Sequence, residues 1–493
     1  MASKQQKVLR IIPLGGLGEI GKNMTVIEYG RNLIIIDAGV MFPPNDMPGV
    51  DFILPDYKYL VDRKDMIRGI VLTHGHLDHI GAIQFLLQQI DAPVYGSPFT
   101  LGLVEAKLSE FGIRAELRQL TERQPVTLGM FTVNAFHVTH SVPDSCGLVI
   151  DTPLGKIVHT GDFKIDPTPV DGRPTDFKRL ERLIEGEDGV LALLSDSTNA
   201  DRPGHTPSDK IVGQTLEPLF WGAPGRIIVA TFASHIPRIQ QVIDAAHATG
   251  RQVALAGRSL NENMALATRL GYVRAGLGLV PLEMAMNLPE NKLVIIATGT
   301  QGEPTSALSR MAAGNHPLVS IQQGDTVMVS GRVIPGKEES MARVINQLFA
   351  RGAFVIYGSM ASIHTSGHGS QEDMRMMLEA VRPKYFMPVH GEVRHQYLHS
   401  RLAGETGIPE ERRFILENYR VWEYDGKQAR RGELVEGQDM RVDGNLIGDV
   451  NETVLRDRER LATDGFVVAV LPVNKAGRLA GRPQFISRGF VHL

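Results

Sequence analysis

Within six residues, His74-Gly75-His76-Leu77-Asp78-His79 places three histidines and an aspartate in the pattern His-x-His-x-Asp-His. Imidazole and carboxylate at this spacing are metal-ligand types with little use in packing, so the stretch points to metal-assisted hydrolysis. Alternation along an extended segment lets His74 and His76 face the same way. Asp78 and His79 turn toward a neighbouring point about 3.5–4 Å further on, the separation of two ions sharing one cleft. Two divalent ions so placed lower the pKa of a shared water, giving hydroxide near neutral pH, and neutralise the charge developing on a phosphoryl group. The competing reading is a surface cluster of histidines without function.

A dinuclear centre needs about seven or eight donors, some of them water. His140, Asp162 and His390 follow apolar runs that read as strands, and so join the set. His74, His76 and His140 are assigned to one ion, and Asp78, His79 and His390 to the other. Asp162 bridges the two through its pair of oxygens. His137 and His159 lie three residues before His140 and Asp162 and compete with them. His137 falls inside a strand rather than at its exit, and His159 reads as a strand residue or as a partner that orients a ligand. The leaving oxygen needs a proton, and His368, oriented by Asp196, is the candidate general acid. The alternative for His368 is a helix-start residue capping backbone donors. Ser366 and Gly367 can present N–H groups to a phosphate at that helix start, with Ser234 and His364 adding donors.

These groups need strands to position them. The run before His74, Ile70 to Leu72, reads as a buried strand, and the residues after Ile80 as a helix over 82–89. The ligands thus sit where a strand's carboxyl end opens, as sites in open α/β layers do. Gly16 to Gly21 matches G-x-G-x-x-G, with Asp37 at roughly the spacing of a dinucleotide-binding fold. That fold requires a helix between glycines and acid. Here Met24–Tyr29, a Gly30-Arg31-Asn32 turn and Leu33–Ile36 read instead as a β-hairpin, with Asp37 ending a buried strand that points at the site. From Arg202 to about Tyr357 the pattern becomes a regular alternation of strands and helices, which implies a separate parallel sheet inserted into the first domain. Its basic residues Arg226, Arg238, Arg258, Arg332 and Lys337 are candidates to line a channel, although any one alone is more often a solvated charge. The polar, proline-rich loop 41–51 reads as a solvated loop, with a structural calcium at Asp51 as the alternative.

With 493 residues the chain exceeds one ordinary core, so two or three domains are expected. The net charge of −3 assigns any nucleic-acid binding to a local basic cleft rather than to bulk charge. The single cysteine, Cys146, excludes an intramolecular disulfide and suits a reducing compartment. No apolar run approaches a membrane span, and the opening Met-Ala-Ser-Lys-Gln-Gln-Lys lacks a signal-peptide core, so a cytoplasmic protein is expected.

The ordered set Gly15-Gly16-Leu17-Gly18-Glu19-Ile20-Gly21-Lys22-Asn23, His-x-His-x-Asp-His, Thr160-Gly161-Asp162 and Val389-His390-Gly391-Glu392 resembles the metallo-β-lactamase superfamily. With the insertion it is similar to the β-CASP branch, which acts on nucleic acids, and within that branch to the bacterial ribonuclease J family over essentially the whole chain. By this resemblance Asp37 is the first motif, His74–His79 the second, His140 the third and Asp162 the fourth. Asp196, His368 and His390 match the β-CASP motifs A, B and C. The resemblance implies an α/β fold: an αββα sandwich over 1–205 and 362–445, a β-CASP domain over 206–361, and a linker helix and hairpin over 446–493 leading to a C-terminal domain not present in this chain. It implies catalytic roles for Asp37, Asp78, Asp196 and His368. Phosphate contacts are implied for Phe232, Ala233 and Ser234 and for His364, Thr365, Ser366, Gly367 and His368. Two divalent ions are implied, zinc by the histidine-rich set, with manganese or magnesium able to support turnover. The implied activity is 5′-to-3′ exonuclease and endonuclease cleavage of single-stranded, 5′-monophosphorylated RNA, in RNA decay and in rRNA and mRNA processing. A homodimer or tetramer and a place in an RNA-degradation complex are implied as well.

Three other functions compete. A small-molecule hydrolase of the lactamase type does not need so large an insertion, whose size suits a polymer. A single-strand DNA nuclease differs only in reading no 2′-hydroxyl. A catalytically silent RNA-binding subunit would be marked by lost ligands, and none is lost here.

Overall fold

The computed structural model describes residues 8–44, 46–274, 278–334, 336–444, 446–448 and 450–489. Residues up to Val40 and Pro55–Gly437 form one compact unit; Met41–Leu54 and the residues from Gln438 onward form a second.

In the first unit, Leu9 and Ile11 turn to one face of strand Leu9–Gly15 and Ile12 and Leu14 to the other, and all four are buried. A strand apolar on both faces must be covered twice. It pairs antiparallel with Met24–Tyr29, which turns through Gly30 (φ 63°) into Asn32–Ile36. The expected hairpin is thus formed, and no helix separates the glycines from Asp37. Ile67–Val71, Val94–Gly96 and Leu117–Gln119 extend the sheet in parallel on one side, and Arg420–Tyr424 and Ala429–Leu434 on the other, giving eight strands. A second sheet of six runs Tyr385–Val389, Val190–Asp196, Gly155–His159, Cys146–Thr152, Phe131–His137 and Val126–Leu128. Ile11, Ile27, Ile34 and Val71 of the first sheet pack on Val133, Leu148, Ile157 and Leu194 of the second, forming the core between them. The outer face of the second sheet, through Val149, Val158 and Phe386, packs on helices Phe177–Ile184, Gln371–Val381 and Val393–Glu405. Helix Pro98–Glu110 lies against strand Val94–Gly96 of the first. This is the αββα layering.

Five parallel strands make a separate sheet, in the order Gln252–Ala256, Leu293–Ala297, Ile227–Ala230, Thr326–Val329 and Phe354–Ile356. Ile227, Val229, Val294 and Ile296 pack on helices Lys210–Gly222 and Ile236–Ala248, while Ile228, Ala230, Ile295 and Ala297 pack on Ala307–Ala313 and Glu338–Ala350. Phe99 and Val142 of the sandwich join the first of these clusters, so apolar packing continues from one sheet system into the other.

Two local expectations change. The single helix over 82–89 is instead two short ones, Leu77–Ile80 and Ile83–Leu86. Between them the Ala82 N–H leaves the helical pattern to bond the Ala38 carbonyl at 2.7 Å. Residues 364–370 are not helical; the helix begins at Gln371, closed by a capping box of Ser370 and Asp373. With Ser370 and Asp373 meeting those donors, the helix start is no anion site for Ser366 and Gly367.

In the second unit, Phe52–Leu54 pairs with Met440–Asp443, which pairs with Leu446–Ile447. Loop 41–51 is therefore bound into structure through a strand far along the chain. The Asp51 carboxylate accepts from the Gly444 N–H at 2.8 Å. Helix Glu452–Asp464 precedes the hairpin Phe466–Val470 with Gln484–Arg488; its expected end at Val491 lies outside the described residues.

Candidate metal centre

Six strand exits deliver the chemistry. Asp37 follows Asn32–Ile36, His74 follows Ile67–Val71, His140 follows Phe131–His137, and Asp162 follows Gly155–His159. Asp196 ends its strand, and His390 follows Tyr385–Val389. The parallel run of the last three strands keeps their carboxyl ends together.

Three groups of donors form, all sharing Asp162: His74, His76, His140 and Asp162; Asp78, His79, Asp162 and His390; and Asp162, Asp196, His368 and His390. His76 Nδ1 lies 3.1 Å from both His74 Nε2 and His140 Nε2. Donors around a tetrahedral ion with bonds of about 2.0–2.1 Å stand roughly 3.3 Å apart, so the three nitrogens are spaced as ligands. Asp162 Oδ2 lies 3.6 Å from His74 Nε2, 3.8 Å from His140 Nε2 and 3.2 Å from His79 Nε2. Its Oδ1 lies 2.9 Å from His390 Nδ1. Asp78 Oδ2 completes the second group, 3.3 Å from His390 Nε2. Asp162 Oδ2 and His390 Nε2 are buried with no hydrogen-bond partner. Buried polar atoms rarely stay unsatisfied, and both are aimed into the donor cluster, so the residues fit a divalent cation.

The electrostatics agree. Burial drives the His74 imidazole well below its ordinary pKa. Burial also pushes His76 down to about 4, against Asp78 and Asp162, and His140 to about 3. These three present neutral nitrogens, the form that binds metal. In the second group burial opposes charge on His390, but Asp162 and Asp78 raise it to about 10. Against burial, Asp162, Asp37 and Asp78 likewise hold His79 well above the usual histidine range. The field of the carboxylates retains positive charge where a divalent ion would carry it.

Several side chains act by orienting these donors. Asp37, left-handed at φ 62°, accepts from the Thr73 N–H at 2.8 Å and the Thr73 hydroxyl at 2.9 Å. Its other contact, His79 Nδ1 at 2.7 Å, turns His79 Nε2 toward Asp162. Asp37 and His79 thus form a carboxylate–histidine arrangement of the kind common at metal sites. His140 Nδ1 donates to the Gly367 carbonyl at 2.7 Å, which leaves Nε2 for the centre. Position 367 tolerates only glycine at this approach, because a Cβ would stand 2.8 Å from the His140 ring. Asn23 bonds the Asp78 carbonyl through its backbone N–H (3.0 Å) and side-chain amide (3.1 Å). His137 bonds the Arg173 carbonyl at 2.8 Å and His159 accepts from the Gly161 N–H at 3.0 Å; neither joins a donor group.

His368 Nδ1 meets Asp196 Oδ2 at 2.7 Å, and Thr198 fixes the other Asp196 oxygen through its N–H (2.9 Å) and hydroxyl (2.7 Å). Burial opposes protonation of His368, but Asp196 and Asp162 raise its pKa above the ordinary value. The segment before it is held by Asn199, whose amide donates to Ser366 Oγ and the His368 carbonyl, both at 2.9 Å. The turn Phe232-Ala233-Ser234 precedes helix Ile236–Ala248, and Arg238 in its first turn bonds the Ile363 carbonyl at 2.5 Å. The two segments expected to hold phosphate are therefore neighbours. Within them the Thr365 hydroxyl is committed to Asp209 at 2.6 Å.

Two of the expected channel cations are not at a surface. Arg226 is buried against Asp325 at 2.6 Å and Arg238 against Asp209 at 2.8 Å. Arg258 and Arg332 are exposed. A sequence does not reveal which arginine has a distant carboxylate partner. Thr73 and Thr198 are also roles that sequence reasoning missed, although each adjoins a motif; Asn23 lies inside the glycine-rich stretch and Asn199 adjoins Thr198.

Four family models match successive parts of the chain: the metallo-beta-lactamase superfamily over residues 17–216, the ribonuclease J beta-CASP domain over 224–348, a Zn-dependent metallo-hydrolase RNA specificity domain over 355–411, and the ribonuclease J C-terminal domain over 453–493. Ribonuclease J 1 of Streptococcus pyogenes is 46% identical over 98% of this chain and 86% of its own length. Ribonuclease J of Thermus thermophilus is 44% identical over 99% and 85%, and ribonuclease J2 of Bacillus subtilis 41% over 100% and 89%. A crystal structure of a protein of unknown function from Enterococcus faecalis shares the fold, with a TM-score of 0.59 at 15% identity over 85% of this chain and all of that one.

Proposed function

The chain belongs to the ribonuclease J family of the metallo-β-lactamase superfamily, and on that footing we propose a metal-dependent ribonuclease that cuts single-stranded RNA internally and from its 5′ end. The observation that carries this reading is the gathering of seven side chains into the first two of the three donor groups that share Asp162. In the proposal His74, His76 and His140 hold one divalent ion, Asp78, His79 and His390 a second, and Asp162 lies between. When bound, the ions supply Lewis acidity and a lowered pKa for the attacking water. Asp37 keeps His79 in the ligating tautomer. Asp196 holds Nδ1 of His368, so Nε2 is the nitrogen that gives the leaving oxygen its proton. Residues 206–361 form the inserted domain, and RNA lies between it and the sandwich.

Zinc is the ion favoured by the histidine-rich set, with manganese or magnesium served by the hard oxygens of Asp78 and Asp162. Elemental analysis of the purified protein is expected to return two divalent ions per chain. A single ion at saturation would remove the shared-carboxylate assignment. Comparison of matched RNA and DNA substrates in the same preparation separates this reading from a DNA nuclease of the same fold. A homodimer or tetramer, a cytoplasmic location and an RNA-degradation complex complete the proposal; among the described residues no helix is long and apolar enough to cross a membrane.

The 5′ end gives a sharper test. A pocket near Ser234 and residues 364–368 that holds a terminal monophosphate would fix the distance from end to cut. A triphosphate brings extra charge and bulk to a space sized for one phosphate. Ser234→Ala is expected to lower exonuclease turnover on monophosphorylated RNA by about tenfold, roughly one lost charge-assisted hydrogen bond, while internal cleavage changes little. Ser366→Ala is expected to lower both activities, because Ser366 Oγ also accepts from the His368 N–H at 3.1 Å. Equal loss of both activities in Ser234→Ala, or end-degradation of triphosphorylated RNA at the same rate, would place the pocket elsewhere.

A further inference from the structure

A buried polar network outside the metal centre has Asp209 at its middle. Asp209 stands at the N-cap of helix Lys210–Gly222, yet its carboxylate makes no capping bond to that helix. One oxygen accepts from Lys164 Nζ at 2.5 Å. The other accepts from Arg238 Nη2 at 2.8 Å and from the Thr365 hydroxyl at 2.6 Å. The Asp209 N–H donates to Asp166 at 2.9 Å, and its carbonyl accepts from Gln241 at 2.6 Å. Lys164 and Arg238 are completely buried, and Asp209 and Asp166 nearly so. Two cations thus face two carboxylates in the interior.

Such a network is a poor device for stability, since apolar side chains of similar volume are often as stabilising or more so. What it does is fix geometry. Lys164 lies two residues beyond Asp162, and its backbone N–H bonds the Thr139 carbonyl at 2.8 Å, beside His140. Thr365 lies three residues before His368. Arg238 adds bonds to Ser330 (2.6 Å) and the Ile363 carbonyl (2.5 Å), tying in the parallel-sheet domain. One carboxylate therefore joins the loop carrying Asp162, the helices of the inserted domain and the segment carrying His368.

We infer that Asp209 is a positioning residue for hydrolysis: through Thr365 and Lys164 it sets the segment bearing His368 against the loop bearing Asp162. The inference rests on the reading of His368 as general acid. A small misplacement of such an acid is costly to rate while leaving the ions in place. Loss of the Thr365 link acts on proton donation specifically.

The test uses two RNA substrates cut internally by the intact protein, so that no 5′-end pocket is engaged, one normal and one with sulfur in place of the leaving oxygen at the scissile linkage. A thiolate departs without needing a proton. Thr365→Val, which removes only the hydroxyl, and Asp209→Asn are expected to slow the oxygen substrate by about 10–100-fold. The sulfur substrate should slow less than about twofold, with ion content unchanged. His368→Ala is the reference and should show the same split more strongly. If His368→Ala slows both substrates equally, the general-acid reading fails and this inference with it. If His368→Ala shows the split but Thr365→Val does not, Asp209 is structural and the inference is overturned while the acid stands. Thr365→Val also decides the case should Asp209→Asn fail to fold.

Discussion

Replacing Asp162 with asparagine is expected to lower turnover by on the order of 10³-fold or more, because the step relies on ions that contribute several kcal/mol to the barrier. One Asp162 oxygen lies within 4 Å of nitrogens of His74, His79 and His140, and the other within 3 Å of His390. An amide keeps one acceptor oxygen and replaces the other with a donor NH2, so it can face at most one of these groups as a ligand. It also removes the charge that Asp162 contributes against His79 and His390. Ion content should fall below two per chain. Asp78→Asn touches only the second group and should spare the first. The assignment is lost if Asp162→Asn keeps both ions and most of its turnover.

His368→Ala is expected to slow RNA cleavage by about 10²–10⁴-fold, the range that a positioned acid supplies, with full ion content. Asp196→Asn should move in the same direction, since it loosens the 2.7 Å bond that orients the ring. His390→Ala should instead lose or weaken one ion. The comparison matters because Asp162, Asp196, His368 and His390 also lie close enough together to hold a metal. Were His368 a ligand, its replacement would release an ion as His390→Ala does. Equal ion loss in the two variants would falsify the division between acid and ligand.

The placement of His74, His140, Asp162 and His390 was legible because each follows a run whose apolar pattern marks a strand, while His76, Asp78 and His79 were legible from their spacing after His74. The hairpin that displaced the dinucleotide reading was legible for the same reason. Arg238 was not. It reads as a surface cation on an amphipathic helix, and only its distant partner Asp209 makes it a buried one. Asp37 was assigned to catalysis by family resemblance; its orienting role becomes visible only with His79 and Thr73 folded around it. The expected helix start at 364–370 failed because Ser370 and Asp373 form a capping box later in the chain, and the residues before it are held by Asn199 and Asp209.

The strand that delivers His390 pairs with Val190–Asp196 across the whole inserted domain, Ala192 opposite Tyr385 and Asp196 opposite Val389. During synthesis at about 5–20 residues per second, the roughly 190 residues between them take about 10–40 s to appear. Until then the second sheet ends at Val190–Asp196, one strand short, and the second donor group lacks a member. The second donor group is thus completed late in synthesis, only after the inserted residues have emerged. A ribosome-arrested chain that exposes residues up to 380 is expected to leave a bystander RNA intact, whereas one exposing the full chain cleaves it. Cleavage by the shorter chain would show that His390 is dispensable to the centre.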